Sequence, residues 1–152
     1  MDQPFPAYEG DEPYVFVSYS HEDESAVYKE IRWLQDQRVN VWYDEGISPG
    51  SEWSDALAQA IEGCTHFVYF LTPGSVASEN CRRELIFAQE EHRQVLAVYL
   101  EETEVPSGLR LSLDNRQAIL KYKLSDDAYQ LALIQAVGAQ VAVKSSPEKI
   151  ES

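Results

Sequence analysis

Thr65-His66-Phe67-Val68-Tyr69-Phe70-Leu71-Thr72, followed beyond Pro73 by Gly74-Ser75-Val76-Ala77-Ser78-Glu79-Asn80-Cys81-Arg82-Arg83-Glu84-Leu85, decides the fold of this chain. Phe67 to Leu71 is apolar at every position, with none of the alternation of a strand that has one face in water. Such a run suits the centre of a parallel sheet covered on both faces. In the second segment Ser78 is a natural N-cap. Cys81, Leu85 and Ala88 then recur at helical spacing, which predicts a helix to about His92. Asn80 and Glu84 are four apart and lie one above the other on a single face. That face starts at the C-terminal edge of the sheet. Glu84 is then either an ordinary helix-surface carboxylate or a site residue, and the rest of the chain has to decide between them.

Outward from this stretch, strands and helices alternate. Tyr14–Tyr19 is a β-branched and aromatic run that reads as a buried strand, broken by the polar loop Ser20–Glu24. Val27, Ile31 and Leu34 mark an amphipathic helix ending near Gln37. Val39–Tyr43 is the next strand, and Asp44–Ser51 a loop with two glycines and a proline. Trp53, Leu57 and Ile61 mark a helix capped by Ser51 and stopped at Gly63. Val95–Leu100 and Ala118–Leu120 are the last two strands, joined by a connection with one short helical turn around Gly108–Leu113. A final helix, capped by Ser125 or Asp126, runs to Val141. Residues 1–12 read as an irregular lead-in, 13–141 as one domain, and 142–152 as a polar tail or linker toward a further domain.

This alternation predicts an α/β fold, a doubly wound parallel sheet of about five strands flanked by helices. Ligands of such sheets gather at the C-terminal strand ends, where the strand order reverses. The Tyr19–Asp23, Asp44–Ser51 and Thr72–Asn80 loops all fall on that side, and Glu84 can face the same crevice.

At 152 residues the chain fits one domain with a full core. Twelve basic against 26 acidic residues give a formal charge of −14, which argues against a nucleic-acid partner or an anionic membrane surface. No apolar run reaches the length of a membrane span, and Met1-Asp2-Gln3-Pro4 does not open a signal peptide. Cys64 and Cys81 stand apart, and His21, His66 and His92 are scattered, so no metal-ligand spacing is present. The expectation is a cytoplasmic protein in a reducing compartment, without metal or cofactor.

The common α/β sites are missing. The first strand leads into Ser18-Tyr19-Ser20-His21-Glu22-Asp23, with no glycine fingerprint for a dinucleotide. Walker A and GxSxG motifs are absent. A phosphate-receiving regulator would need an acceptor Asp ending the third strand, where Phe70-Leu71-Thr72 stands.

What remains is a set of boxes in order. Tyr14-Val15-Phe16-Val17-Ser18-Tyr19-Ser20, Val41-Trp42-Tyr43-Asp44-Glu45 with Ile47-Ser48-Pro49-Gly50, Ser51-Glu52-Trp53, and Ser78-x-x-Cys81-x-x-Glu84-Leu85 resemble the successive boxes of a TIR (Toll/interleukin-1 receptor) domain. The resemblance covers roughly residues 12–141 and is closest to bacterial multidomain TIR proteins. It implies a three-layer, flavodoxin-like fold. It also implies one of two activities. The preferred one is NAD+ nucleosidase activity, releasing nicotinamide and leaving ADP-ribose or a cyclic form, switched on by self-association in immune or antiphage defence signalling. The alternative is a non-catalytic scaffold or adaptor that joins other TIR domains in signal transduction.

In the first reading NAD+ is a substrate and Glu84 the catalytic residue. The leaving group is a cationic pyridinium that departs as neutral nicotinamide. One carboxylate can therefore suffice where ordinary glycosidases use two. The resemblance implies that Tyr19, Ser20 and His21 line the cleft against ribose or diphosphate, although His21 is equally a surface residue of a polar loop. It puts Asp44 near the same pocket. Trp53 is either an aromatic wall or a core residue in register with Leu57 and Ile61. Cys81 matches the motif but is equally a small buried hydrophobe. Asn80 stands where some NAD-cleaving relatives carry tryptophan. Arg82 and Arg83 either balance the acid, contact a neighbouring subunit or are solvated. The loop Gly46-Ile47-Ser48-Pro49-Gly50 corresponds to the family's BB loop, which packs on a neighbouring TIR domain, often head-to-tail.

Overall fold

The computed structural model describes residues 4, 6–44, 53–113 and 117–141. Among these, five strands form one sheet: β1 (Val15–Ser18), β2 (Val41–Tyr43), β3 (His66–Leu71), β4 (Gln94–Tyr99) and β5 (Gln117–Leu120). The helices are α1 (Glu24–Asp36), α2 (Trp53–Gly63), α3 (Pro73–Ala77), α4 (Glu79–Glu90), α5 (Ser107–Ser112) and α6 (Asp126–Val141). All strand pairings are parallel, in the order β2-β1-β3-β4-β5.

Alternate residues of each strand enter opposite cores. Val15, Val17, Val68, Phe70, Leu96 and Val98 meet Ile31 and Leu34 of α1 and Leu133 and Val137 of α6. Phe16, Phe67, Tyr69, Leu71, Val95 and Ala97 meet Ile61 of α2 and Cys81, Leu85 and Ala88 of α4. This double burial is why β3 is apolar at every internal position. On the second face, Phe16 stacks on Trp42 of β2 with ring centroids 5.1 Å apart and on Phe67 of β3 at 5.3 Å. One ring thus ties three neighbouring strands together.

From β1 the chain steps outward to β2, then returns past β1 to β3. The strand order reverses between β1 and β3, and a crevice opens beyond their C-terminal ends.

The residues after β3 depart from expectation. Gly74–Ala77 lie in a short helix, α3, where the sequence reads as loop. Thr72 caps it: its hydroxyl accepts from the Ser75 amide at 3.0 Å, and Ser75 Oγ in turn accepts from the Thr72 amide at 2.9 Å. Pro73 stands at the first helical position, where its missing N–H costs nothing. Ser78 ends this helix and caps the next, its Oγ accepting from the Cys81 amide at 3.2 Å. At the far end of the chain, Ser125 rather than Asp126 supplies the cap, accepting from the Ala128 amide at 3.1 Å.

The same junction pins the loop after β1. Thr72 Oγ1 donates to the Asp23 carboxylate, and Gly74 leaves room for the Glu22 carboxylate, which occupies the space a Cβ would need. Thr72→Val keeps the volume but removes both the cap and the Asp23 anchor. It is expected to cost about 1–3 kcal/mol, read as a lower urea midpoint at unchanged slope.

Candidate functional site

Three chain segments converge on the crevice. β1 ends in Ser18 and continues into Tyr19, Ser20 and the single 3₁₀ turn His21–Asp23, which the Ser20 side chain caps. β2 ends beside Asp44. The second turn of α4 brings in Glu84. A small cavity of about 40 Å³ is lined by Tyr19, Ser20, His21, Asp44, Asn80 and Glu84, over a floor that includes Phe16.

Glu84 is partly buried, and Ser18 Oγ donates to its Oε1 at 2.7 Å. Burial pushes its carboxyl up to about 7, with the charge of Asp44 adding to the rise. The Ser18 hydrogen bond and the nearby His21 work against it. The acid therefore changes charge near neutrality, which an exposed helix carboxylate does not do.

His21 and Asp44 form the second charged element. His21 Nε2 lies 3.1 Å from Asp44 Oδ2, and that hydrogen bond raises the imidazole above its ordinary value. Tyr19 holds both from beneath. Its hydroxyl donates to the Asp44 carbonyl at 2.8 Å, and its ring lies 5.0 Å from the imidazole.

Beside this cavity a groove of about 360 Å³ runs between α2 and α4, lined by Leu57, Ile61, Ile86 and Phe87 with Arg83 and Glu90. Asn80 and Glu84 line both hollows and join them. The size is that of a small-molecule site, apolar with a few polar groups.

Tyr19, Ser20, His21, Asp44, Asn80 and Glu84 come together. Cys81 does not: it is buried against the sheet, where burial pushes its thiol up to about 11, so it is a core residue and lines neither hollow. Arg82 turns back to donate from Nε to the Val76 carbonyl at 3.1 Å, while Arg83 reaches the groove. Trp53 opens α2, but its side chain lies outside the described residues, as does the Gly46–Gly50 loop with Ile47, Ser48 and Pro49. Ser18 was not singled out by sequence. Its one legible signal is a lone hydroxyl closing an apolar strand that leads to the sheet edge.

Among the described residues, no cluster of His, Cys, Asp and Glu could hold a metal ion, and no helix is long and apolar enough to cross a membrane.

Solved structures of similar shape share only 15% of residues with the chain and so speak to fold alone. The TIR domain of the Toll-related receptor TRR-2 from Hydra magnipapillata superposes with a TM-score of 0.65, covering 81% of this chain and 96% of that one at 15% identity. The CMP N-glycosidase BcmB from Clostridium botulinum gives 0.52, covering 69% and 84% at 15% identity. No curated protein matches at a significant level. The family model for the TIR domain matches residues 15–135, from the first residue of β1 into α6. The chain belongs to the TIR domain family.

Proposed function

We propose that this TIR domain cleaves the bond between nicotinamide and ribose in NAD+, with Glu84 as the catalytic carboxylate. The observation that carries the reading is the placement of Glu84. It is held by Ser18, partly buried, and shared by a polar cavity and a larger apolar groove. The polar cavity alone is too small for a dinucleotide, so a substrate seated on Glu84 extends into the α2–α4 groove. There Leu57, Ile86 and Phe87 offer apolar surface to a base, and Arg83 a positive charge to a phosphate.

As the C1′–N bond breaks, its electron pair neutralises the pyridinium and positive charge builds on the ribose. An ionised Glu84 in a poorly hydrated cleft stabilises that charge as it develops. Water then adds at C1′ and gives up one proton, yielding ADP-ribose; a group of the same molecule adding instead gives a cyclic product. Self-association through the Gly46–Gly50 loop, in defence signalling, is part of the same proposal.

The test is nicotinamide release from NAD+ by crowded or tethered protein, beside a folded Glu84→Ala variant. Release in the wild type alone supports the reading. Equal release by both sinks it. No release in any assembly state favours the adaptor alternative, in which the domain only binds other TIR domains.

Ser18→Ala separates the acid from its donor. The Ser18 hydrogen bond favours the ionised form, so its loss is expected to raise the carboxyl further and move the pH–rate profile upward by about one unit. Rates at pH 6 then fall about tenfold, with recovery at pH 9.

A further inference from the structure

NAD+ cleavage leaves one element of the cleft unused. Its leaving group is already cationic and needs no proton, yet His21 lines the Glu84 cavity with Nε2 3.1 Å from Asp44 Oδ2. We infer that His21, oriented by Asp44, is a general acid that extends the substrate class of this cleft to nucleotides whose base is uncharged, such as nucleoside 5′-monophosphates. The inference rests on the reading of Glu84 as the carboxylate that stabilises the ribosyl cation.

The chemistry requires such a group. A neutral purine or pyrimidine leaves as an anion unless a proton reaches it as the C1′–N bond breaks. In the imidazolium, the Nε2 proton is held by Asp44 and the Nδ1 proton is free to transfer to a ring nitrogen or carbonyl oxygen of the base. Water then adds to C1′, and its proton returns to the imidazole. The sum is nucleotide plus water giving ribose 5-phosphate plus free base, with no other reactant.

The surroundings fit a proton donor. The His21 side chain is 51% exposed, so a base entering from solvent can reach its ring. Asp44, Glu24 and Glu84, from the β2 end, α1 and α4, all favour the charged ring, and Asp44 is the largest of these influences. The Tyr19 ring beside it and the Tyr19 bond to the Asp44 backbone fix the pair in place. A carboxyl group and an imidazole thus face one cavity, the pair of groups an acid-assisted glycosidase uses.

The experiment follows base release by chromatography from NAD+, CMP, GMP and 7-methyl-GMP, using wild-type protein and His21→Gln. The 7-methylated base is cationic and leaves without a proton, so it serves as the internal control. The expected result is release from GMP or CMP by wild type. His21→Gln should lower it about a hundredfold or more, and lower release from 7-methyl-GMP and NAD+ at least tenfold less. The GMP or CMP rate should trace a bell against pH, needing ionised Glu84 and protonated His21, while the NAD+ rate, whose leaving group is cationic at every pH, should rise to a plateau. No release from CMP or GMP while NAD+ or 7-methyl-GMP is cleaved overturns the inference and leaves the NAD+ reading standing. An equal loss on all four substrates also overturns it and makes His21 a binding residue. Failure on all four by wild type sinks both readings.

Discussion

Glu84→Gln is expected to reduce nicotinamide release by about a hundred- to a thousandfold and, at the same time, to make the folded protein more stable at pH 8. The two effects share one cause. Glutamine matches the carboxylate in size and still accepts the Ser18 hydrogen bond, so packing around α4 is preserved. Only the negative charge goes, and with it the stabilisation of a developing cation at C1′.

The stability gain follows from linkage. Burial raises the Glu84 carboxyl from 4.5 to about 7 in the folded protein. Between those values the native state keeps a proton that the unfolded chain has released, so native stability falls as pH rises from about 4.5 to about 7. Above that window the full cost persists. The whole shift corresponds to about 3 kcal/mol, and partial solvent access reduces it to about 2 kcal/mol. For a domain of this size that is a rise of roughly 4–8 °C in melting temperature at pH 8. At pH 4.5 and below both proteins carry a neutral group and should melt together. A Glu84→Gln variant no more stable than wild type at pH 8 shows that the acid is not held at a cost, and removes the electrostatic basis for its role.

Much of this architecture is legible in one dimension. Phe67–Leu71 and the β1 run are apolar without alternation, and only the middle of a two-faced sheet uses such segments. The helical spacing of Cys81, Leu85 and Ala88 sets the buried stripe of α4, and the four-residue interval places Asn80 and Glu84 together above the strand ends. What periodicity cannot show is contact across the fold. The Ser18–Glu84 bond spans 66 residues and the Thr72–Asp23 bond 49, and neither follows from local pattern. The short α3 was hidden for another reason: five residues are too few for an apolar period, and only the Thr72-Pro73-x-Ser75 capping chemistry announces it. Cys81 shows the converse limit. A motif position names a residue type, but the Cys81 side chain, on the flank of the Glu84 face, is turned into the core and lines neither hollow.

Phe16→Ala is expected to destabilise the domain by about 3–5 kcal/mol, the range for deleting a buried aromatic ring. The ring is 1% exposed and lies between Trp42 and Phe67, so its loss leaves a cavity between two stacking partners on neighbouring strands. Neither partner can fill it easily, since both are fixed by parallel pairing to β1: Trp42 opposite Phe16 on one side, Phe67 on the other. Collapse there would also disturb the cleft, because Phe16 forms part of its floor, two residues before Ser18. Phe16→Leu refills most of the volume without stacking and should recover more than half of the loss. Urea unfolding at pH 7 measures both. At matched fraction folded, Phe16→Leu should keep the wild-type pH–rate midpoint if the floor only supports Ser18. A Phe16→Ala unfolding free energy within about 1 kcal/mol of wild type would mean that the ring is not packed between Trp42 and Phe67 as described, because ordinary burial alone predicts a larger loss.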